Sequence, residues 1–296
     1  MKSLPYIQHY LRLIKFTHTI FAMPFALIGF SLGIQDQLGS TNPSLLGWGW
    51  TLFWVILCMV FARSAAMGFN RYLDRNIDAL NPRTASREIP AGVIGAGQAL
   101  RFVVLNALLF MTSAWMINRL CFYLSPVALA VILGYSYTKR FTALCHLVLG
   151  VGLSLSVIGA YLAVTGRFEL LPMIFSFAVF TWVAGFDILY ALQDESFDRE
   201  QRLRSIPAWL GTRRSLRVSS ALHFFTIAAL FFAGIWADFG YLYWIGALLF
   251  SGLLIYQHAL VSAADLSRID LAFMTANGLA SVVFSIFVIL EIFIHP

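Results

Sequence analysis

The chain has 296 residues, of which 60% are hydrophobic, 16% aromatic and only 11% charged, against about 25% charged residues in a typical soluble domain. A water-soluble fold of this length needs a polar shell that the composition does not supply, so most of the surface is matched to lipid. The net charge of +6 reads as a topology and headgroup signal and gives no reason to invoke nucleic acid as a partner.

In chain order, YIQHYLRLIKF (6–16) mixes basic and aromatic residues in a short amphipathic run, an interfacial helix rather than a targeting signal, and no cleavable signal peptide is evident. A bilayer core about 30 Å thick asks for about 20 apolar residues per helix. Nine segments meet this, at 17–36, 48–69, 98–118, 121–138, 144–165, 170–192, 217–237, 241–262 and 271–293. With a cytosolic N-terminus, only Arg119 and Arg167 of the 20 Lys and Arg residues fall on the far side. The positive-inside rule therefore fixes the orientation.

The polar residues gather in two cytosolic loops, at about 70–98 and 194–217. The second span holds Arg63 and runs into FNRYLDRNIDALNPRT, which sets Asn70, Asp74 and Asp78 at intervals of four; NPRTASREIPAG then supplies Arg83 and Arg87. The fourth span ends on YSYTKR, with Lys139 and Arg140, and the sixth on DILYALQDESFD, with Asp187, Asp194 and Asp198. Lys15 stands at the start of the first span. Cys58, Cys121 and Cys145 lack metal-site spacing and read as small core residues. The six His residues are scattered, and most read as interfacial or hydrogen-bonded.

On a helix, residues four apart share a face, so Asp74 and Asp78 form one acidic stripe with Asn70, and Asp194 and Asp198 form another. Two carboxylates 4 Å apart repel by about 4 kcal/mol at an effective dielectric of 20, so a cation is needed between them. Arg71, Arg75, Arg199 and Arg202 could neutralise the stripes as ordinary solvated helix ends. Mg²⁺ is the sharper reading, because carboxylate and amide oxygens are its preferred ligands and it completes its shell with water and phosphate oxygens. A diphosphate bridging two such clusters is the natural ligand, with Arg83, Arg87, Lys139 and Lys15 placed to hold its oxygens. The repeated device suggests two four-helix halves, each delivering one acidic helix end to a shared cavity.

Arg63 lies inside the membrane two turns before Asn70 on nearly the same face, and charge at that depth is usually functional. It either binds the carboxylate of an aromatic acid or pairs permanently with an acidic stripe or Asp187.

These residues resemble the UbiA superfamily of intramembrane aromatic prenyltransferases. The resemblance covers most of the chain and rests on NRYLDRNIDALNPRT, YSYTKR as a Y-x-x-x-K element, GFDILYALQDESFDRE and KFTHTIFAMPFALIG. It implies an all-α membrane protein with nine transmembrane helices around a central cavity open to lipid, forming one catalytic domain over residues 1–296. It also implies a first Mg²⁺ on Asn70, Asp74 and Asp78, a second on Asp194 and Asp198, and diphosphate contacts from Tyr135 and Lys139 with Lys15 as a weaker candidate. Arg63 and Asp187 would lie towards the aromatic acceptor, and Tyr190 gains weight from its motif position. Many members read N-D-x-x-D in the first motif where this chain has Arg71, which alters the first metal shell.

The implied reaction places a polyprenyl diphosphate with its tail in the bilayer and its head between the clusters. Metal and basic residues draw off diphosphate, and an electron-rich phenolic ring attacks the allylic carbon. The acceptor implied is 4-hydroxybenzoate, with a dihydroxynaphthoate as the rival, in a quinone branch at the cytoplasmic membrane. A transporter also fits nine spans, but transporters place ionisable sites near the midplane. An alcohol phosphotransferase lacks its D-x-x-D-G-x-x-A-R pattern here.

Overall fold

A computed structural model describes residues 6–13, 23–38, 45–263, 265–271 and 276–295, and every described element is helical. The elements are α1 (Tyr6–Leu13), α2 (Met23–Leu38), α3 (Leu45–Leu80), α4 (Ala96–Ile117), α5 (Arg119–Thr138), α6 (Cys145–Thr165) and α7 (Leu170–Ala191). A 3-10 turn (Leu192–Asp194) then leads to α8 (Glu195–Glu200), α9 (Ile206–Leu210), α10 (Thr212–Trp236), α11 (Tyr241–Leu260) and α12 (Asn277–Ile294). Among the described residues, eight helices are long and apolar enough to cross a membrane. The first expected span, at 17–36, corresponds to α2, whose described part is 16 residues; residues 17–22 lie outside the described residues, as do 272–275 of the last expected span and 14–16 of the N-terminal run.

Two corrections concern the acidic segments. The second expected span closes at 69, yet α3 continues to Leu80 over 36 residues. At 1.5 Å per residue it is about 54 Å long, well beyond a 30 Å hydrocarbon core, so its acidic last turns project from the apolar part. The loop expected at 70–98 is therefore helix to Leu80 and turns only over 81–95. The segment expected as a loop over 194–217 holds α8, α9 and the start of α10.

The chain forms two compact units, one of residues 1–19 and 54–137 and the other of 20–53 and 138–296. This does not follow the expected four-plus-four division, because α2 packs chiefly on α6 and α12. A Cβ on Gly29 of α2 would collide with the Val157 carbonyl of α6. Bare backbone lets the two helices approach closely, as small residues do between membrane helices.

The larger unit is built on α6–α7, α7–α10, α2–α6 and α11–α12 contacts. Its core stacks Phe25, Trp182, Phe250 and Phe284, with Phe25 and Trp182 centroids 5.1 Å apart. Two buried polar pairs lie inside it, Trp182 Nε1 donating to Asn277 Oδ1 at 2.9 Å and Thr181 meeting Thr226 at 2.8 Å. The Glu291 carboxylate, fully buried, accepts from the Gly240, Leu242 and Tyr243 backbone N–H groups at 2.7, 3.1 and 3.3 Å. It thereby caps the N-terminus of α11 with the charge that end favours.

In the smaller unit, Leu13 and Tyr10 of α1 pack with Ile89, Ile94, Ala99 and Phe102. The expected interfacial helix thus has a specific seat on the 81–95 turns and the start of α4. Those turns begin at Asn81, whose Oδ1 accepts the Arg83 N–H at 2.9 Å, while the Thr84 hydroxyl donates to the Asp78 carbonyl at 3.0 Å.

Candidate active site

In the smaller unit, Asn70, Asp74 and Asp78 occupy successive turns of α3, as their spacing predicts. Asp74 and Asp78 are 2% and 5% exposed. Asn70 Nδ2 donates to Asp74 Oδ2 at 3.3 Å. Arg87 NH1 reaches back from the turns to Asp78 Oδ1 at 2.7 Å, and Arg71 NH1 lies 4.0 Å from Asp78 Oδ2. Asp78 Oδ2 itself is buried without a hydrogen-bond partner. Arg87, expected to hold phosphate, is thus committed here to a carboxylate, and Arg83 is exposed.

Of the arginines expected to neutralise the stripes, Arg71 does lie against Asp78, but two others are engaged elsewhere. Arg75 donates to the Tyr72 carbonyl at 2.6 Å and lies over the Tyr72 ring, and Arg199 pairs with Glu195 at 2.9 Å. Arg63, about 10 Å below Asn70 along α3, has a buried Nε without a hydrogen-bond partner and makes no ion pair among the described residues. Permanent pairing with an acidic stripe or Asp187 is thereby corrected. Tyr135 stands one turn before the end of α5, and Lys139 follows that helix directly. Lys15 lies outside the described residues.

In the larger unit the second stripe starts on a 3-10 turn. Asp194 closes the 3-10 turn and leads into α8, while Asp198 lies within α8. The Asp194 charge acts on the Asp198 carboxyl, so the two remain near neighbours across the start of α8. Asp198 Oδ2 accepts the Ser205 hydroxyl at 2.8 Å. Asp187 Oδ2 lies 2.7 Å from His146 Nδ1, and Tyr190 packs beside Leu189, Leu192, Val261 and Ile269. The Lys139 carbonyl accepts the Arg204 N–H at 2.7 Å.

Sequence reasoning gave His146 only the general reading of a hydrogen-bonded histidine and missed its partner. The signal available was weak: His146 follows Lys139 by seven residues, and nothing in the spacing ties it to Asp187, 41 residues on.

The donor set suits a hard divalent cation. It offers carboxylate and amide oxygens, and Asp78 Oδ2 is a buried oxygen with unspent lone pairs. Among the described residues no three His, Cys, Asp or Glu side chains converge on a ready-made metal cage. Mg²⁺ binds through one or two carboxylates with water and substrate phosphate making up the rest, so no such cage is required.

Fold and site together define a polytopic, all-helical membrane protein carrying buried carboxylates where a long spanning helix projects from its apolar part. The model of the UbiA prenyltransferase family matches residues 22–279, across both compact units, and the chain belongs to that family. It is therefore a multi-span membrane enzyme, a prenyltransferase, and the transporter and phosphotransferase alternatives fall. A 4-hydroxybenzoate octaprenyltransferase of Tolumonas auensis is 31% identical over 223 residues, 75% of this chain and 78% of that one. A UbiA homolog from Aeropyrum pernix K1 superposes with a TM-score of 0.77 at 29% identity, covering 94% of this chain and 97% of that one. A UbiA homolog from Archaeoglobus fulgidus, bound to GPP and Mg²⁺, shares the fold with a TM-score of 0.72 at 22% identity over 96% and 99% of the two chains.

Proposed function

We propose that the chain transfers a polyprenyl group from an allylic polyprenyl diphosphate to the ring of 4-hydroxybenzoate, forming a carbon–carbon bond and releasing diphosphate for quinone biosynthesis. The observation that carries this reading is the buried acidic cluster at the projecting end of α3, with Asp78 Oδ2 lacking a hydrogen-bond partner. The relatives named for 4-hydroxybenzoate and the neighbour bound to GPP and Mg²⁺ support it.

In this reading both compact units work as one domain over residues 1–296, in the cytoplasmic membrane with a cytosolic N-terminus and the site opening to the cytosol. Asn70, Asp74 and Asp78 hold one Mg²⁺, and Asp194 and Asp198 a second; when bound, the metal supplies Lewis-acid stabilisation of the departing diphosphate. Asp74, Asp194, Lys139 and Asp187 are the catalytic residues. Lys139 and Tyr135 contact diphosphate oxygens, and Arg83 and Lys15 add positive charge. Arg87, held by Asp78, would add a further positive charge for the diphosphate. Tyr190 is a further substrate-binding residue. The apolar spans keep the prenyl tail in lipid and water away from the allylic carbon.

Arg63 receives the acceptor carboxylate, since its guanidinium has no ion-pair partner among the described residues. Arg63→Ala is expected to raise the acceptor KM by about 10–100-fold, the worth of a charge-assisted hydrogen bond, with the donor KM within about twofold. Steady-state kinetics with each substrate varied in turn separates the two, and equal rises in both would place Arg63 elsewhere.

The test is incubation of the purified protein in lipid with Mg²⁺, geranyl diphosphate and either 4-hydroxybenzoate or a dihydroxynaphthoate, followed by mass spectrometry. Prenylated benzoate and released diphosphate are expected in equal amounts. Product from the naphthoate alone would move the acceptor, and no release with either would end the reading.

A further inference from the structure

Four contacts tie the segment 203–206 to the stretch from Lys139 to His146. Three of them involve Arg204, whose N–H donates to the Lys139 carbonyl at 2.7 Å, whose NH1 donates to the Phe141 carbonyl at 2.7 Å, and whose carbonyl lies 3.6 Å from Cys145 Sγ. The fourth is buried: the Ile206 N–H meets His146 Nε2 at 3.3 Å. His146 is 3% exposed.

The chemistry of this last contact fixes the state of the ring. A backbone N–H can only donate, so His146 Nε2 carries no proton and acts as acceptor. The ring proton then sits on Nδ1 and is donated to Asp187 Oδ2 at 2.7 Å. One imidazole thus orients a carboxylate on α7 while holding the backbone next to Ser205. Ser205 in turn donates its hydroxyl to Asp198 Oδ2 at 2.8 Å and accepts the Ala208 N–H at 3.3 Å.

We infer that His146 is a positioning residue with two separable arms: Nδ1–H orients Asp187 for the aromatic acceptor, and Nε2, through Ile206 and Ser205, sets Asp198 for the metal and diphosphate. The inference rests on the reading of Asp187 and Asp198 given above. It adds a residue that touches neither substrate yet governs both sides of the reaction.

The arms can be cut one at a time because amide side chains of different length reach the two ring positions. In His146→Asn the amide nitrogen falls near the place of Nδ1, so Asp187 keeps a donor and Ile206 loses its acceptor. In His146→Gln the amide oxygen falls near the place of Nε2, so Ile206 keeps its acceptor and the Nδ1 donor to Asp187 is gone.

Steady-state kinetics of the full-length protein in lipid should therefore split. His146→Gln is expected to raise the acceptor KM about tenfold with the Mg²⁺ and donor requirements within about twofold, and His146→Asn the reverse. A second readout needs no turnover: limited trypsinolysis after Arg202 and Arg204, both exposed, should run at the wild-type rate in His146→Gln and about tenfold faster in His146→Asn, whose segment has lost its buried tie. Two variants that behave alike in both assays would overturn the inference, since a merely structural histidine damages both arms together. An inactive wild type would remove the functional reading, while the proteolysis split would still decide whether the clamp exists.

Discussion

Asp74→Asn and Asp194→Asn are each expected to lower turnover by about 100–1000-fold while leaving the chain folded and extractable. Asn is nearly isosteric with Asp, so the packing around Asp74, 2% exposed on α3, is kept. What is lost is one negative charge and one ligating oxygen, replaced by an N–H group that a divalent cation repels. The Asn70 amide, which now donates to Asp74 Oδ2 at 3.3 Å, would face a second amide, and the remaining oxygens could not balance the metal. Turnover numbers in lipid beside melting curves of the same preparations check this. Full activity in both variants would refute the metal assignment.

Glu291→Ala is expected to cost about 3 kcal/mol or more of stability, with no residue of the proposed site touched. The substitution leaves three backbone donors at the start of α11, from Gly240, Leu242 and Tyr243, without an acceptor. In lipid no water replaces it. Glu291→Gln is expected to fall between Ala and wild type, because one amide oxygen still accepts while the amide N–H groups oppose the backbone donors. Melting in detergent or lipid separates the three proteins, and a wild-type melting curve for Glu291→Ala would show that the cap carries no weight.

Much of the fold was legible because each span must hold about 20 apolar residues and so stands out from its flanks. The helix starts of α6, α7 and α11 at Cys145, Leu170 and Tyr241 fall on or beside the expected boundaries for that reason. The end of α3 at Leu80 was hidden because helix continuing past the membrane is polar, and hydropathy reads polar helix and polar loop alike. The 3-10 turn at Leu192–Asp194 was equally silent, since a change in winding leaves no mark in residue types. The seat of α2 on α6 is a tertiary choice made by Gly29, and no local period encodes it.

The first acidic cluster was readable because its members sit four apart on one helix. Arg63 was readable because charge within an apolar span is conspicuous. The His146–Asp187 pair joins two helices across 41 residues, and such pairing is visible only once the helices are placed. Arg87 binding Asp78 belongs to the same kind: Arg87 lies nine positions on, beyond the end of α3, and composition alone suggested phosphate.

The proposed function turns on the carboxylates of α3 and those around α8 each holding a metal ion. Electron paramagnetic resonance of the protein in lipid, loaded with Mn²⁺ in place of Mg²⁺ and a non-cleavable prenyl diphosphate analogue, tests this most directly. A magnetically coupled pair of ions is expected in the wild type, reduced to an uncoupled signal by Asp74→Asn or Asp194→Asn. Uncoupled ions in the wild type, or coupling that survives both substitutions, would contradict it.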